Sequence, residues 1–409
     1  MNSFKKLVCF VPGWLSKQRD EIGSDPILRW YGAILCWCYA LGGLSWLFLE
    51  KGSLILSKGF MPYCWPFFES CFRFRYFTES QWKILIAFYT LLAIGLGTLF
   101  LKQKFYRIAY YLLFFLVFIK TLIFIQDFRL RLNQHYMLYW MTLVYLFIPA
   151  KREILKYQLI LFYFWAGILK IDYEWLSGSA LYNLDKFWIK GDLVPWSCLY
   201  VVILESVIIF GILFKNPYIF WSTFAQLILF HIFSWPIVQW YYPILMFLLI
   251  SILPLDRLGI KKFPVQIKAT RKETIFIIVL FSIFQIVPYI FPGDSALTGE
   301  GRLFALNMFD AKVQCEGKLM VHFKNGDKKE IKPRILATQR IKCDPIVFAN
   351  YARISCLILK KKKSFEDLDL YLISRRFSEK EYSKRIEIEK FCTKNPSYSM
   401  LWHNDWILY

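Results

Sequence analysis

Histidine is scarce in this 409-residue chain, which has only four. Ten cysteines are present, yet none belongs to a CxxC pair. Structural zinc needs Cys or His ligands at matched short spacings, so no metal is expected. Acidic residues are outnumbered, 30 against 51 Lys and Arg, giving a formal charge of +21. On a soluble protein that excess would point to nucleic acid. Here the basic residues fall mainly between hydrophobic runs, so the expected partner is membrane lipid and not nucleic acid. No internal repeat is visible, and no low-complexity linker, which speaks against solenoids and repeat-built transporters. The first 28 residues lack the apolar core of a cleavable signal peptide. The first span is therefore expected to act as an uncleaved signal.

What the chain does have is apolar and aromatic mass: 57% of residues are hydrophobic and 20% aromatic. A soluble domain is nearer 45–50% apolar. A span needs about 20 mostly apolar residues. Five runs qualify: Trp30–Leu49, Trp82–Leu101, Phe105–Gln126, Trp196–Phe214 and Thr274–Phe291. Four shorter ones are His135–Ile148, Leu155–Ile171, Pro217–Phe233 and Tyr241–Leu253. The expected fold is an all-α polytopic membrane domain of about nine spans over residues 29–292. A cytoplasmic segment, 1–28, precedes it, and a small α+β extracytoplasmic lobe, 293–409, follows it.

Alternate loops carry the positive charge: Lys5, Lys6, Lys17 and Arg19; Lys102, Lys104 and Arg107; Lys151, Arg152 and Lys156; Lys215; then Arg257, Lys261, Lys262, Lys268, Arg271 and Lys272. The intervening loops are mixed, as with Asp172, Glu174, Asp185, Lys186, Lys190 and Asp192. The positive-inside rule then puts the N-terminus in the cytoplasm and the tail outside. In the tail, Lys318–Phe323 and Lys328–Lys332 flank Asn325-Gly326, a hairpin signal. Phe365–Arg376 is expected to be a strand and Glu379–Cys392 a charged helix.

Ionisable residues inside spans are functional candidates. On this topology His135, Lys170 and His231 come from three spans to one depth on the outer side. Glu205 lies mid-span, either as a buried partner for a cation or as a local hydrogen bonder. Lys120, near a span end, is expected to snorkel to the headgroups. Cys36 and Cys38 lie inside the first span and are expected to be inert packing residues.

The segment Tyr163-Phe164-Trp165-Ala166-Gly167-Ile168-Leu169-Lys170-Ile171-Asp172, followed by Trp175 and Gly178, resembles vitamin K-dependent gamma-carboxylase. Asn133-Gln134-His135-Tyr136, Phe230-His231 with Ser234, and Arg302–Phe309 followed by the Asn325-Gly326 hairpin resemble further segments of that family in the right order. Leu306 stands where the family usually has an aromatic, and the long C-terminal β-rich region of the animal enzymes is missing. The wider group is the horizontally transferred transmembrane (HTTM) domain family.

The resemblance implies carboxylation of Glu side chains in a secreted peptide or protein. The cofactor it implies is a reduced quinone, vitamin K hydroquinone or menaquinol-like, with O2 and CO2 as co-substrates. Lys170 would be the starting base and His135 the stabiliser of developing negative charge. His231, Asp172, Trp175 and Glu205 would support them. The family also carries a disulfide from an early outer loop to the later outer region, so one of Cys64 and Cys71 is expected to pair with a tail cysteine. The rival implication is a non-carboxylating HTTM protein of the sporulation-delaying protein B type, which assists maturation or export of a secreted peptide. A bacterial inner membrane is the expected location.

Overall fold

The computed structural model describes residues 2–179, 181, 188–259, 267–306, 313–333, 335 and 339–409. Asp185, Lys186, Lys261, Lys262 and positions 307–309 lie outside these residues, as do the side chains of Lys5 and Lys6.

The membrane domain is a helical bundle. Its helices are α1 (Asn2–Ser24), α2 (Pro26–Phe48), α3 (Glu79–Leu101), α4 (Tyr106–Phe124), α5 (Asn133–Phe147), α6 (Lys151–Ile168), α7 (Leu193–Ser206), α8 (Pro217–Val238), α9 (Tyr241–Ile250), α10 (Ile252–Gly259) and α11 (Arg271–Ile286). Among the described residues, seven helical segments are long and apolar enough to cross a bilayer, fewer than the nine expected. Two of the runs read as short are longer than that reading: α8 spans 22 residues, and α9 with α10 spans 19. The two that fall short are α5, with 15 residues, and α6, which opens on Lys151-Arg152-Glu153. Both are well buried in the bundle, sheltered by protein on most of their length. The lipid-facing surface is supplied by other helices, with Phe88, Leu91, Phe115, Phe118, Trp196, Tyr218, Phe276 and Ile283 all exposed.

Local sequence starts and seats these helices. Asp25 caps α2 by accepting the Ile27 N–H at 2.8 Å, with Pro26 in the first turn. Thr78 and Gln81 form a capping box on α3. Helices α2 and α3 run in close contact because Gly43 leaves no Cβ: one placed there would stand 2.1 Å from Thr90 Oγ1.

At the end of the bundle away from the tail, charges expected as loop cations are instead buried. Arg152 reaches Asp256 at 2.9 Å and Asp25 at 3.2 Å, and Lys156 reaches Asp256 at 2.7 Å. The Lys151 ammonium donates to Gln18 at 2.5 Å, while the Lys151 N–H donates to Glu21 at 2.7 Å. These bonds tie α1, α2, α6 and α10 into one unit.

The tail is a four-stranded antiparallel sheet, order β2-β1-β3-β4, with one main helix. The strands are β1 (Val313–Phe323), β2 (Lys328–Ile331), β3 (Phe365–Arg376) and β4 (Ser383–Ile388), and the helix is α12 (Pro345–Leu359). The β1–β2 hairpin turns at Asn325-Gly326, where Gly326 takes a φ of 87° that suits glycine. The charged helix expected over Glu379–Cys392 is instead β4. Ile386 and Ile388 point inward on alternate positions, and pairing with β3 outweighs the helix propensity of its Lys and Glu residues. Leu319, Val321, Phe348, Leu368, Leu370 and Leu372 form the lobe core.

The lobe is seated on the first loop of the bundle. Tyr63, Trp65 and Phe128 pack against Ile341, Ile346 and Val347, and Asn350 donates to the Cys64 carbonyl at 3.0 Å. Asp127 organises that loop through Arg129 at 2.7 Å and Arg75 at 2.5 Å.

The disulfides correct the expected loop-to-tail bridge. Cys64 pairs with Cys71, Cys315 with Cys343, and Cys356 with Cys392. The loop and tail are held together by packing and hydrogen bonds, so each bridge closes locally, across 7, 28 and 36 residues of sequence. Non-reducing peptide mapping is expected to return these three pairs, with buried Cys36, Cys38 and Cys198 unmodified until denaturation. A peptide linking Cys64 or Cys71 to a tail cysteine would contradict the structure.

Candidate functional site

Helix α6 ends in the sequence block that carries Lys170. The chain leaves the helix in a tight turn, with the Lys170 N–H donating to the Gly167 carbonyl at 3.1 Å. Asp172 then caps a short helix, Tyr173–Leu176, by accepting the Trp175 N–H at 2.9 Å. The indole of Trp175 donates to the Cys198 carbonyl at 3.0 Å, which fixes this turn to α7. Gly167 is the second fixing point: a Cβ there would stand 2.9 Å from the Ser206 nitrogen and 3.0 Å from Glu205 Cβ. The bare backbone lets α7 approach close enough to bring Glu205 to the end of α6.

The result is a buried acid–base pair. Lys170 Nζ donates to Glu205 Oε2, and the two residues are only 5% and 2% exposed. The ammonium also lies 5.2 Å from the Trp175 ring centre and 5.9 Å from that of Phe230, within cation–π range. His231, next to Phe230 on α8, is fully buried, with Nε2 2.6 Å from the Tyr163 hydroxyl. Its other ring nitrogen has no hydrogen-bond partner. The chain thus brings Lys170, Glu205, Trp175 and His231 into one nest from α6, α7, α8 and the Asp172 turn. Of the two roles open to Glu205, the geometry gives it that of a cation's buried partner.

The lobe closes over the turn. Arg376, at the end of β3, bonds both carboxyl oxygens of Asp294, at 2.9 Å through Nη2, and lies 3.7 Å from Asp172. Burial pushes the Asp172 carboxyl above the ordinary carboxylate range, while the Trp175 N–H and Arg376 favour its ionised form. Glu174 accepts the Ser378 N–H at 2.8 Å and its hydroxyl as well. Glu174, Asp294, Arg376 and Ser378 were not singled out from sequence. They come from separate segments, and no local pattern joins them.

His135 does not join this nest. It is buried on α5 against Trp46, whose ring centre is 5.2 Å away, and faces Glu50 at 3.6 Å. Two neighbouring tyrosines mark the divide: Tyr241 lies 5.9 Å from His135, and Tyr242 lies 5.8 Å from His231, ring to ring. The three ionisable residues expected together therefore fall into two centres. Lys120 also departs from expectation. It is fully buried beside Tyr39 and Tyr139, not extended to the headgroups, because aromatic faces receive its ammonium inside the bundle.

Among the described residues, no group of three or more Cys, His, Asp or Glu is placed to hold a metal. No family model, curated protein or solved structure matches the chain.

A buried pair leaves a measurable signature when only half of it is removed. Glu205→Ala is expected to destabilise the fold by about 3–5 kcal/mol, because it strands a buried cation. Lys170→Met combined with Glu205→Met is expected to recover most of that loss. Equilibrium unfolding in detergent, run as a double-mutant cycle, checks this. Losses that simply add would mean that the two side chains do not interact.

Proposed function

We propose that this chain is a multi-pass membrane enzyme of the vitamin K-dependent gamma-carboxylase type, which carboxylates Glu side chains of a secreted peptide or protein. The observation that carries the reading is the Lys170 amine, buried against a carboxylate and two aromatic rings at the end of the sequence block that resembles the carboxylases. A reduced quinone with O2 would supply the strong base that removal of a glutamate γ-hydrogen demands. The nest suits such a guest: an amine and a carboxylate able to meet a hydroxyl, set in an aromatic wall on a bundle that faces lipid. With its own proton passed to Glu205, Lys170 would take up the guest's proton, and Glu205 would hold the amine in place. Trp175 and Phe230 would keep the exchange dry. The proposed orientation has a cytoplasmic N-terminus, with the nest and lobe facing outward from a bacterial inner membrane.

Two observations favour a second reading. Lys170 is engaged by Glu205, and His135 stands in another centre. Under that reading the chain is a non-carboxylating HTTM protein that assists maturation or export of a secreted peptide, and the pair serves the fold.

Lys170→Arg separates the two. Arginine can keep the ion pair but stays protonated, so it cannot act as a base. The purified chain is expected to consume oxygen with a quinol and to fix labelled CO2 into a Glu-containing peptide. Lys170→Arg is expected to lose both activities while remaining folded. Parent-like turnover in Lys170→Arg would remove Lys170 from the mechanism, and no turnover in the parent across several quinols would leave the peptide-maturation reading.

A further inference from the structure

The centre around His135 contains an unusual concentration of unmet polar atoms. Lys120 Nζ lies 4.7 Å from the Tyr39 ring centre and 4.6 Å from that of Tyr139, and it has no hydrogen-bond partner. Trp46 Nε1, Glu50 Oε2, Tyr89 Oη and His135 Nε2 are likewise buried without a hydrogen bond among the described residues, although Glu50 Oε2 and His135 Nε2 face each other. These five groups come from α2, the turn after it, α3, α4 and α5. Each unmet buried group costs folding free energy, and native chains carry few of them. Five in one place call for a function rather than a packing accident.

Their geometry is that of a small proton network. His135 Nε2 is 3.6 Å from Glu50 Oε2, and His135 Nδ1 is 3.4 Å from the Tyr241 hydroxyl. Ser45 donates to the other Glu50 oxygen at 2.5 Å, which leaves Oε2 aimed at the imidazole. Lys120 stands one helical turn before Phe124, whose ring packs on that of His135 at 5.8 Å, and so places its charge behind the imidazole. The remaining titratable lining is Cys38 and the phenols of Tyr39, Tyr89, Tyr139 and Tyr241, which bring protons but no charge at neutral pH. The imidazole can take up a proton at Nε2, the atom that faces the carboxylate. Glu50 is the member closest to water. It lies in the turn after α2, at the end of the bundle where the lobe sits, and its side chain keeps 8% exposure where those of His135 and Lys120 keep none.

We propose that Glu50, His135 and Lys120 form a proton-binding site, separate from the Lys170–Glu205 pair, that exchanges one proton with the lobe side through Glu50. A proton taken from water by the Glu50 carboxylate passes to His135 Nε2. This leaves an imidazolium facing the carboxylate, with Nδ1–H directed at the Tyr241 oxygen. Release returns the proton along the same path. Lys120, when it is charged, limits how long the imidazolium persists. The site stands whether or not Lys170 acts as a base.

With only four histidines in the chain, nitrogen NMR of the full protein labelled at histidine can follow each ring. The protein is placed in lipid nanodiscs, and signals are assigned by replacing one histidine at a time. At a fixed mildly acidic pH, the doubly protonated fraction of His135 is expected to fall several-fold in Glu50→Gln. It is expected to rise several-fold in Lys120→Met, with Lys120→Gln as a second variant should the first fold poorly. His231 is expected to stay unchanged in all three and to respond instead to Lys170→Met. His322, paired with Asp369 in the lobe at 2.7 Å, reports that the fold is intact. A His135 signal indifferent to both Glu50 and Lys120 would overturn the proposal, as would one that never changes protonation while the protein stays folded.

Discussion

A charge inside an apolar bundle must find a partner, and much of this structure follows from that constraint. At one end of the bundle Arg152 gathers Asp25 and Asp256, and Lys151 gathers Glu21 and Gln18. At the other end Asp127 holds Arg75 and Arg129, and Glu205 holds Lys170. All of these contacts except Asp127–Arg129 link helices or loops distant in sequence, so satisfying the charges also fixes the topology. Lys170–Glu205 joins α6 to α7 at the point where the chain must turn toward the lobe. Gly167 and the Trp175–Cys198 bond hold the backbone in the close approach at which the pair forms.

The lobe completes that arrangement. Its sheet is stapled internally by two of the three disulfides, and its contacts with the bundle are non-covalent. Arg376, at the end of β3, and Ser378, just past it, reach the acidic residues that flank the Lys170 turn. The tail therefore does more than fill space outside the bundle. It covers the loop on which Lys170 depends.

Much of this was legible in the sequence where the signal was local. Long apolar runs located the spans, Asn325-Gly326 located the hairpin, and the bounds of β3 followed from Phe365–Arg376. Lys170, Glu205 and His231 stood out because ionisable side chains are costly in spans. What escaped was non-local. The lobe helix Pro345–Leu359 carries an amphipathic apolar face that becomes meaningful only against the sheet. Glu50 marked the edge of an apolar run, and nothing nearby in sequence announced that it faces His135. Lys120 had the position of a snorkelling residue, but Tyr39 and Tyr139 came from other helices to receive it. Glu379–Cys392 had helical composition, and strand pairing decided otherwise.

The central claim is that Lys170 is a buried, partnered amine and not a lysine reaching for headgroups. A membrane-impermeant acylating reagent, applied to the folded full chain in nanodiscs, tests this directly when labelling is quantified residue by residue by mass spectrometry. Exposed Lys190 and Lys328 should be modified rapidly, and Lys170 should remain unmodified until the protein is denatured. Modification of Lys170 in the folded protein at a rate similar to that of Lys190 would contradict the account.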